Sequence, residues 1–311
     1  MTATDEKPPR VSIGVPVYNG DNYLASALDS FLNQTYDDFE VVVSDNGSTD
    51  GTEEIAREFA ARDPRVKYYR SDVNQGATWN FNRVVELARG EYFRWAAHDD
   101  TIEPDYLRRC VDVLDERPDV VLCSSRVRVI DGDGAVTEEF DRAEVPAGSP
   151  DPQDRFRGFM LHAQRCYEIF GLIRIEALRS IPPLGDYGHA DGVVLARLSM
   201  LGPFVELPER LQNMRVHEEQ SMYLHGCYDD GVVDYRAWGE WYNPNRTSDR
   251  LVPHWRMLWE YGRTLVITPG LSLTDRVRCV RPVVGWVRWY RPLLQAEAAH
   301  AIKRRIPTRT G

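Results

Sequence analysis

Short apolar runs alternate with helix-patterned segments through the first hundred or so positions. That alternation limits the fold more than any single residue does. Val11-Ser12-Ile13-Gly14-Val15-Pro16-Val17-Tyr18 reads as one strand. Phe39-Glu40-Val41-Val42-Val43-Ser44 reads as a second, apolar enough for a parallel sheet covered on both faces. Val66-Lys67-Tyr68-Tyr69 and Tyr92-Phe93-Arg94-Trp95 supply a third and a fourth. Between them, Leu24, Ala27, Leu28, Phe31 and Leu32 share a helical face, as do Ile55, Phe59 and Ala60. A further helix is expected around Trp79 to Ala88, ended by Gly90. Strand, loop and helix in repetition predict an α/β fold: a doubly wound, mostly parallel sheet flanked by helices. Such sheets bind ligands outside the C-terminal ends of their strands. Tyr18-Asn19, Asp45-Asn46 and Asp99-Asp100 all fall at that edge.

Asp99 and Asp100 carry the sharpest chemical signal. Adjacent carboxylates repel, so a fold gains nothing by placing them together at a strand end unless something positive sits there. A divalent metal shared with phosphate oxygens is the usual occupant; a solvated turn is the other reading. Pro16 marks a strand end that approaches a site or leaves the sheet ladder. Asp45-Asn46-Gly47-Ser48-Thr49-Asp50-Gly51-Thr52 is dense in turn and capping residues, and Glu53 and Glu54 follow at the positive end of a helix. Asn74-Gln75-Gly76 leads into the next helix.

Downstream, a helix is expected from Pro104 to about Glu116, then strand from Val120 through Val129 with a hairpin turn at Asp131-Gly132-Asp133-Gly134. Residues 141–155, rich in Pro, Gly and Asp, read as a loop. The pattern beyond Tyr228 is helical and Trp-rich, which divides the chain into a catalytic domain over 1–225 and a helical extension over 226–311. Charge divides similarly. Asp275 to Gly311 holds nine Lys/Arg and two acids, a net of +7, so in a chain of net −10 the rest carries −17. The acidic total argues against nucleic acid as a general partner. The basic, aromatic tail suits either peripheral contact with a membrane surface or packing on the acidic domain with a solvated basic face. Pro282 and Pro292 argue against one long helix there. Five widely spaced cysteines without a CxxC, and an N-terminus without a signal-peptide apolar region, are the pattern of a cytoplasmic protein with reduced thiols. No stretch reaches the roughly 18 apolar residues of a membrane span.

Taken in order, these segments resemble glycosyltransferase family 2, a GT-A-fold group that uses nucleotide-sugar donors. Val-Ser-Ile-Gly-Val-Pro-Val-Tyr-Asn-Gly at 11–20 is similar to the family's first strand and loop, and Ser30-Phe31-Leu32-Asn33-Gln34-Thr35 to its S-hydrophobic-x-x-Q-T helix end. Asp45 to Thr52 is close to D-D-G-S-T-D-G-T, Asn74-Gln75-Gly76 matches N-x-G, and Ala97-His98-Asp99-Asp100 occupies the acidic metal motif. The likeness covers roughly residues 10–220 and implies an inverting transferase that moves a sugar from a nucleotide-diphosphate donor to an acceptor hydroxyl. The setting it implies is cell-surface polysaccharide or glycoconjugate synthesis, with a carbohydrate or lipid-linked acceptor and Mn²⁺ or Mg²⁺ as cofactor; a homo-oligomer is allowed. By the same resemblance, Pro16, Tyr18, Asp45, Asn46, Asn74, Gly76 and Asp99 bind the nucleotide. Asp100 ligates metal, Asp99 shares it or holds the ribose, and His217 completes the shell or touches the diphosphate. Arg215 lends charge to the phosphates. Asp191, in His189-Ala190-Asp191-Gly192-Val193-Val194-Leu195-Ala196-Arg197-Leu198, matches E-D-x-x-L-x-x-R-L and is the implied general base; a helix-terminal acid on the dipole is the plain alternative. Three departures stand out: Ala97 where an acid is common, Asn46 for Asp, and Ala190 for Glu. They leave room for a non-catalytic sugar-nucleotide or carbohydrate-binding module. A nucleotidyltransferase is the other alternative, although Tyr18-Asn19-Gly20-Asp21 lacks its Gly-rich phosphate loop.

Overall fold

β1 (Val11–Val17) and β2 (Phe39–Asp45) are buried along their whole length and pair in parallel from Val11↔Phe39 to Val17↔Asp45. Burial on both faces is why neither alternates polar with apolar. β3 (Val66–Arg70) joins β2 and β4 (Tyr92–Trp95) joins β1, both in parallel. The crossovers are α1 (Leu24–Leu32), α2 (Thr52–Arg62) and α3 (Ala77–Leu87). This computed structural model describes residues 7–141, 145–162, 165–220, 241–243 and 253–303. The boundary expected at 225/226 and Cys227 lie outside them.

Beyond β4 the sheet changes character. β5 (Thr101–Ile102), α4 (Tyr106–Glu116), β6 (Leu122–Ile130), β7 (Val136–Phe140) and α5 (Pro152–His162) come first. A 3₁₀ turn (Tyr167–Phe170), β8 (Leu172–Arg174), α6 (Ile175–Arg179), α7 (Ala190–Leu201) and β9 (Phe204–Arg215) follow. The strand order is β3-β2-β1-β4-β8-β6-β9-β5, with β7 on β6. The expected parallel pairing holds from β3 to β4 and again between β6 and β9. β8 runs antiparallel to both β4 and β6, and β7 and β5 are antiparallel additions. Two apolar layers cover the sheet. One gathers α1, α2 and α4; the other gathers α3, α5, α7 and two C-terminal helices, α8 (Pro253–Ile267) and α9 (Leu273–Lys303).

Pro16 sits inside β1, fully buried, opposite Ser44 of β2. Its missing N–H costs nothing there. Gly14 accepts the Ala96 N–H on the β4 side, and Pro16, two residues on, faces that same side beyond the last β1–β4 pair, Gly14↔Trp95.

Two expectations fail. Residues 141–155 are not all loop, because α5 starts at Pro152. Proline suits a first helical turn, whose N–H groups have no intrahelical partner. The buried Arg155 guanidinium then fixes the helix by donating to the Ser149 and Ser199 carbonyls, each at 2.6 Å. The second failure is in the tail, where α9 runs through both Pro282 and Pro292. Each proline removes one helical hydrogen bond. Tertiary packing offsets the loss: Cys279, Trp286 and Leu294 are buried against α5 and α8, and Trp286 stacks on Tyr290 at 4.5 Å.

A buried ion pair joins α7 to α8. Arg197 meets Glu260 at 2.5 Å with both side chains almost wholly enclosed, and Arg197 Nε also donates to Thr264. Removing one partner of such a pair leaves a bare buried charge. Glu260→Ala is therefore expected to destabilise the fold by roughly 3–5 kcal/mol in chemical denaturation.

Asp45, at the end of β2, is equally enclosed. It accepts hydrogen bonds from the Ser48 N–H (2.8 Å), the Tyr68 hydroxyl (2.8 Å) and Arg70 Nη1 (2.7 Å). Burial pushes its carboxyl up, but the bonds from Ser48, Tyr68 and Arg70 outweigh burial and hold it below the usual carboxylate range. A carboxyl lowered in the native state stabilises the fold above its unfolded value and loses that contribution as pH falls through the native value. Asp45→Asn is expected to cost about 2–3 kcal/mol at neutral pH. The gap from the parent should close as denaturation midpoints are followed down through the acid range.

Candidate active site

The loops after β1 and β2 are laced together before any ligand is considered. The Asn19 N–H donates to Ser48 Oγ and the Gly20 N–H to Thr52 Oγ1, while Asn19 Oδ1 accepts the Thr49 N–H and Asp21 Oδ2 the Gly51 N–H. The turn-rich run from Asp45 to Thr52 thus serves mainly to hold one strand-end loop on another. Asn46 extends the lacing to the third loop. Its amide NH₂ donates to Asn74 Oδ1 (2.9 Å) and the Gly76 carbonyl (3.1 Å), and its Oδ1 accepts the Gln75 N–H (2.9 Å). A carboxylate at 46 has no proton for the first two bonds. Gly76 leads into α3 with φ of +90°, a backbone setting that favours glycine.

These loops border a cavity of about 520 Å³ at the C-terminal edge of the parallel strands. Pro16, Tyr18, Asn46, Asn74, Asp99 and Asp100 line it, and Asp191 and His217 lie in the same wall. Asp45 and Gly76 do not; both act from behind, Asp45 through its bonds to Ser48, Tyr68 and Arg70. Tyr18 is exposed at the rim.

Asp99 and Asp100 are both buried, in the short link from β4 to β5. Residues of and just beyond β9 hold them. The Arg215 N–H donates to Asp100 Oδ1 at 2.8 Å, Arg215 Nε donates to the Asp99 carbonyl, and His217 Nε2 lies 3.0 Å from Asp99 Oδ2. Arg215 Nη1 bonds the Asp131 and Gly132 carbonyls, and the guanidinium rests on the Tyr23 ring at 4.6 Å. Tyr23 also packs against His217, with ring centroids 4.8 Å apart. Arg215 lines the cavity, but much of its hydrogen-bonding capacity is taken by these carbonyls.

The pair splits electrostatically. Burial, and then the negative charge of Asp99, push the Asp100 carboxyl well above its usual range; the Arg215 N–H, Arg94 and Arg215 only partly offset this. Burial also pushes Asp99 up, but the hydrogen bond from His217 and the charges of His98 and His217 bring it below the usual range. A cation beside these two buried neighbouring carboxylates would favour ionisation of both. This donor set of hard oxygens and one imidazole fits Mn²⁺ or Mg²⁺. Among the described residues, Asp99, Asp100 and His217 do not converge into a three-ligand cluster.

Among the described residues, one trio does converge. Cys166, His189 and Asp191 offer ligand atoms within 4.8 Å of one another. Burial, followed by the charges of Asp191 and Glu168, pushes the Cys166 thiol well up, which disfavours the thiolate a metal needs. Asp191 lies in the first turn of α7, with Oδ1 accepting the Gly192 N–H at 2.8 Å and His189 Nδ1 3.9 Å away. His189 has φ of +65°, and a Cβ on Gly192 would come within 2.3 Å of its ring, so glycine at 192 makes room for the imidazole.

Two participants were not singled out from sequence. Arg94 is buried in β4 with Nε and Nη1 unpartnered, resting on Tyr106 at 5.0 Å, and it is one of the charges that lower Asp100. Its signal was a cation inside a strand buried on both faces. Asn80 donates to the Val17 and Ser44 carbonyls, tying together the ends of β1 and β2 at the cavity. A lone Asn in a helix carries no comparable signal.

The sequence profile of glycosyl transferase family 2 matches residues 12–179. A *Bacillus subtilis* protein named as a glycosyltransferase, EpsH, is 31% identical over 191 residues, which is 59% of this chain and 53% of that protein. *Escherichia coli* chondroitin synthase is 30% identical over 226 residues, 71% of this chain and 31% of its own length. The chain thus spans about half or less of these two relatives. Among solved structures, *Staphylococcus aureus* TarS 1–349 with UDP-GlcNAc superposes with a TM-score of 0.63 at 15% identity, covering 89% of this chain and 72% of that one. Mannosyltransferase PcManGT of *Pyrobaculum calidifontis*, with GDP-Man and Mn²⁺, gives 0.53 at 18% identity, covering 96% and 89%. At such identities the likeness is one of fold. With the family profile matched over more than half of its length, the chain belongs to glycosyl transferase family 2.

Proposed function

We propose that the protein transfers a sugar from a nucleotide-diphosphate donor to an acceptor hydroxyl with inversion at the anomeric carbon. One observation carries the reading: the buried Asp99–Asp100 pair and the cavity-lining Asp191 share a single cavity at the strand ends of a family 2 fold. The neighbours bound to UDP-GlcNAc and GDP-Man support a nucleotide sugar as donor. In this reading Pro16, Tyr18, Asn46, Asn74 and Asp99 form the nucleotide wall, backed by Asp45 and Gly76. A divalent cation held by Asp100 and Asp99, with His217 beside them, would neutralise the donor's diphosphate and favour its departure.

Asp191 acts at the opposite side of the reaction. The Gly192 N–H and the positive end of α7 orient its carboxylate. As the acceptor oxygen attacks the anomeric carbon, its proton passes to Asp191. The new C–O bond forms while the bond from carbon to the diphosphate oxygen breaks, and the nucleoside diphosphate leaves. The product is a glycoside of inverted configuration. The similarity to chondroitin synthase makes polysaccharide or glycoconjugate chains the favoured acceptors.

The test pairs two variants with a panel of nucleotide sugars. Asp191→Asn is expected to retain donor binding by calorimetry and lose transfer by about 10²–10⁴-fold. Asp100→Ala is expected to abolish the Mn²⁺-dependent part of donor binding, as is chelation in the parent protein. Turnover at the parental rate in both variants overturns the mechanism, whereas donor binding with no transfer to any acceptor points to a binding role.

A further inference from the structure

Fifteen large apolar side chains are exposed among the described residues, and ten of them lie on residues 255–293, so exposed apolar surface is concentrated on the C-terminal helices. On α8, Trp255, Trp259 and Val266 share one stripe at helical spacing. On α9, Leu273, Val277, Val280 and Val284 share another. The helices run antiparallel. Trp255 donates its indole N–H to the Leu294 carbonyl at 3.0 Å, while Arg276 near the other end donates to the Val266 and Thr268 carbonyls at 2.7 Å. α8 packs on α7 through Glu260 and Thr264, and α9 packs on α5 around Cys279 and Trp286. Both stripes consequently point away from the body.

Three cations border the α9 stripe. Arg281, Arg288 and Arg291 are exposed and have no hydrogen bond or ion pair among the described residues. By contrast, Arg276 binds carbonyls and Arg278 is paired with Asp151. These three guanidiniums are therefore open to an external anion.

We infer that the outward face of the α8–α9 pair docks on an anionic lipid surface. Tryptophan and valine supply the shallowly buried apolar stripe, and the arginine heads reach lipid phosphates while their stems lie along it. No helix among the described residues is long and apolar enough to cross a bilayer, so the contact is peripheral. The rest of the chain, 1–252, carries −18 and is repelled by the same surface, which orients the molecule with this face down. A second copy fits less well, because two-fold pairing through this face brings the same arginines of both copies together.

Vesicle co-sedimentation of the whole chain tests the inference. Binding is expected to phosphatidylcholine vesicles containing phosphatidylglycerol, falling with added salt, and not to phosphatidylcholine alone. The triple variant Arg281→Gln, Arg288→Gln, Arg291→Gln should bind on the order of a hundredfold more weakly. Val277→Asp with Val280→Asp should bind weakly at any salt. All five side chains are exposed, and an unchanged thermal midpoint confirms that the variants fold. Equal binding to both vesicle types, or parental binding by the triple variant, overturns the inference. So does sedimentation showing a dimer that the two Asp variants dissociate, without vesicle binding by the parent.

Discussion

Two carboxylates side by side, largely shielded from water, must be compensated or one of them must stay protonated, and much of the protein is arranged around that constraint. Asp99 and Asp100 sit where the parallel half of the sheet gives way to the mixed half. Groups that answer their charge come from three places. Arg94 comes from within β4, Arg215 from the end of β9, and His217 from just beyond it. Arg215 does more than neutralise, since its bonds to the Asp99, Asp131 and Gly132 carbonyls join three segments distant in sequence. The second half of the sheet therefore acts as a clamp on the acidic turn of the first.

The residues that touch the cavity depend on others that do not. Asp45 is wholly enclosed and binds Ser48, Tyr68 and Arg70, which fixes the loop from which Asn46 reaches the cavity wall. Asn46 in turn holds the Asn74–Gly76 loop through donors that an aspartate lacks. Its departure from the family's Asp-Asp pattern is thus matched to its neighbours. Gln34 shows the same economy. Its amide bonds the Ser30 and Glu103 carbonyls and its oxygen accepts the Leu107 N–H, so the S-x-x-x-Q-T run ties the end of α1 to the start of α4.

The parallel half of the fold was legible because its signals are local. An apolar run buried on both faces, a capping loop and a helix of period 3.6 each declare themselves within a dozen residues. The acidic pair was conspicuous as well, since adjacent carboxylates at a strand end repel one another unless something positive sits there. The tail was misread at Pro282 and Pro292 because propensity is a weak local term. It was outweighed by the burial of Trp286, Cys279 and Leu294 against α8 and against α5, a helix more than a hundred residues earlier in the chain. The start of α5 was missed for a related reason: the composition of 141–155 suits a loop, but the buried guanidinium of Arg155 finds its acceptors only once α7 is in place.

Sequence alone determined the alternating architecture, the edge of the sheet at which chemistry is placed, and the residue types available there. Those follow from periodicity and charge, which act between near neighbours. The tertiary structure decided which of those residues face the cavity and which stand behind it, that Asp99 and Asp100 differ in their hold on a proton, and that Arg94 takes part at all. It also decided that the apolar stripes of α8 and α9, the latter edged by arginines, point outward. These outcomes depend on burial and on partners brought together from opposite ends of the chain, and neither quantity exists until the chain has folded.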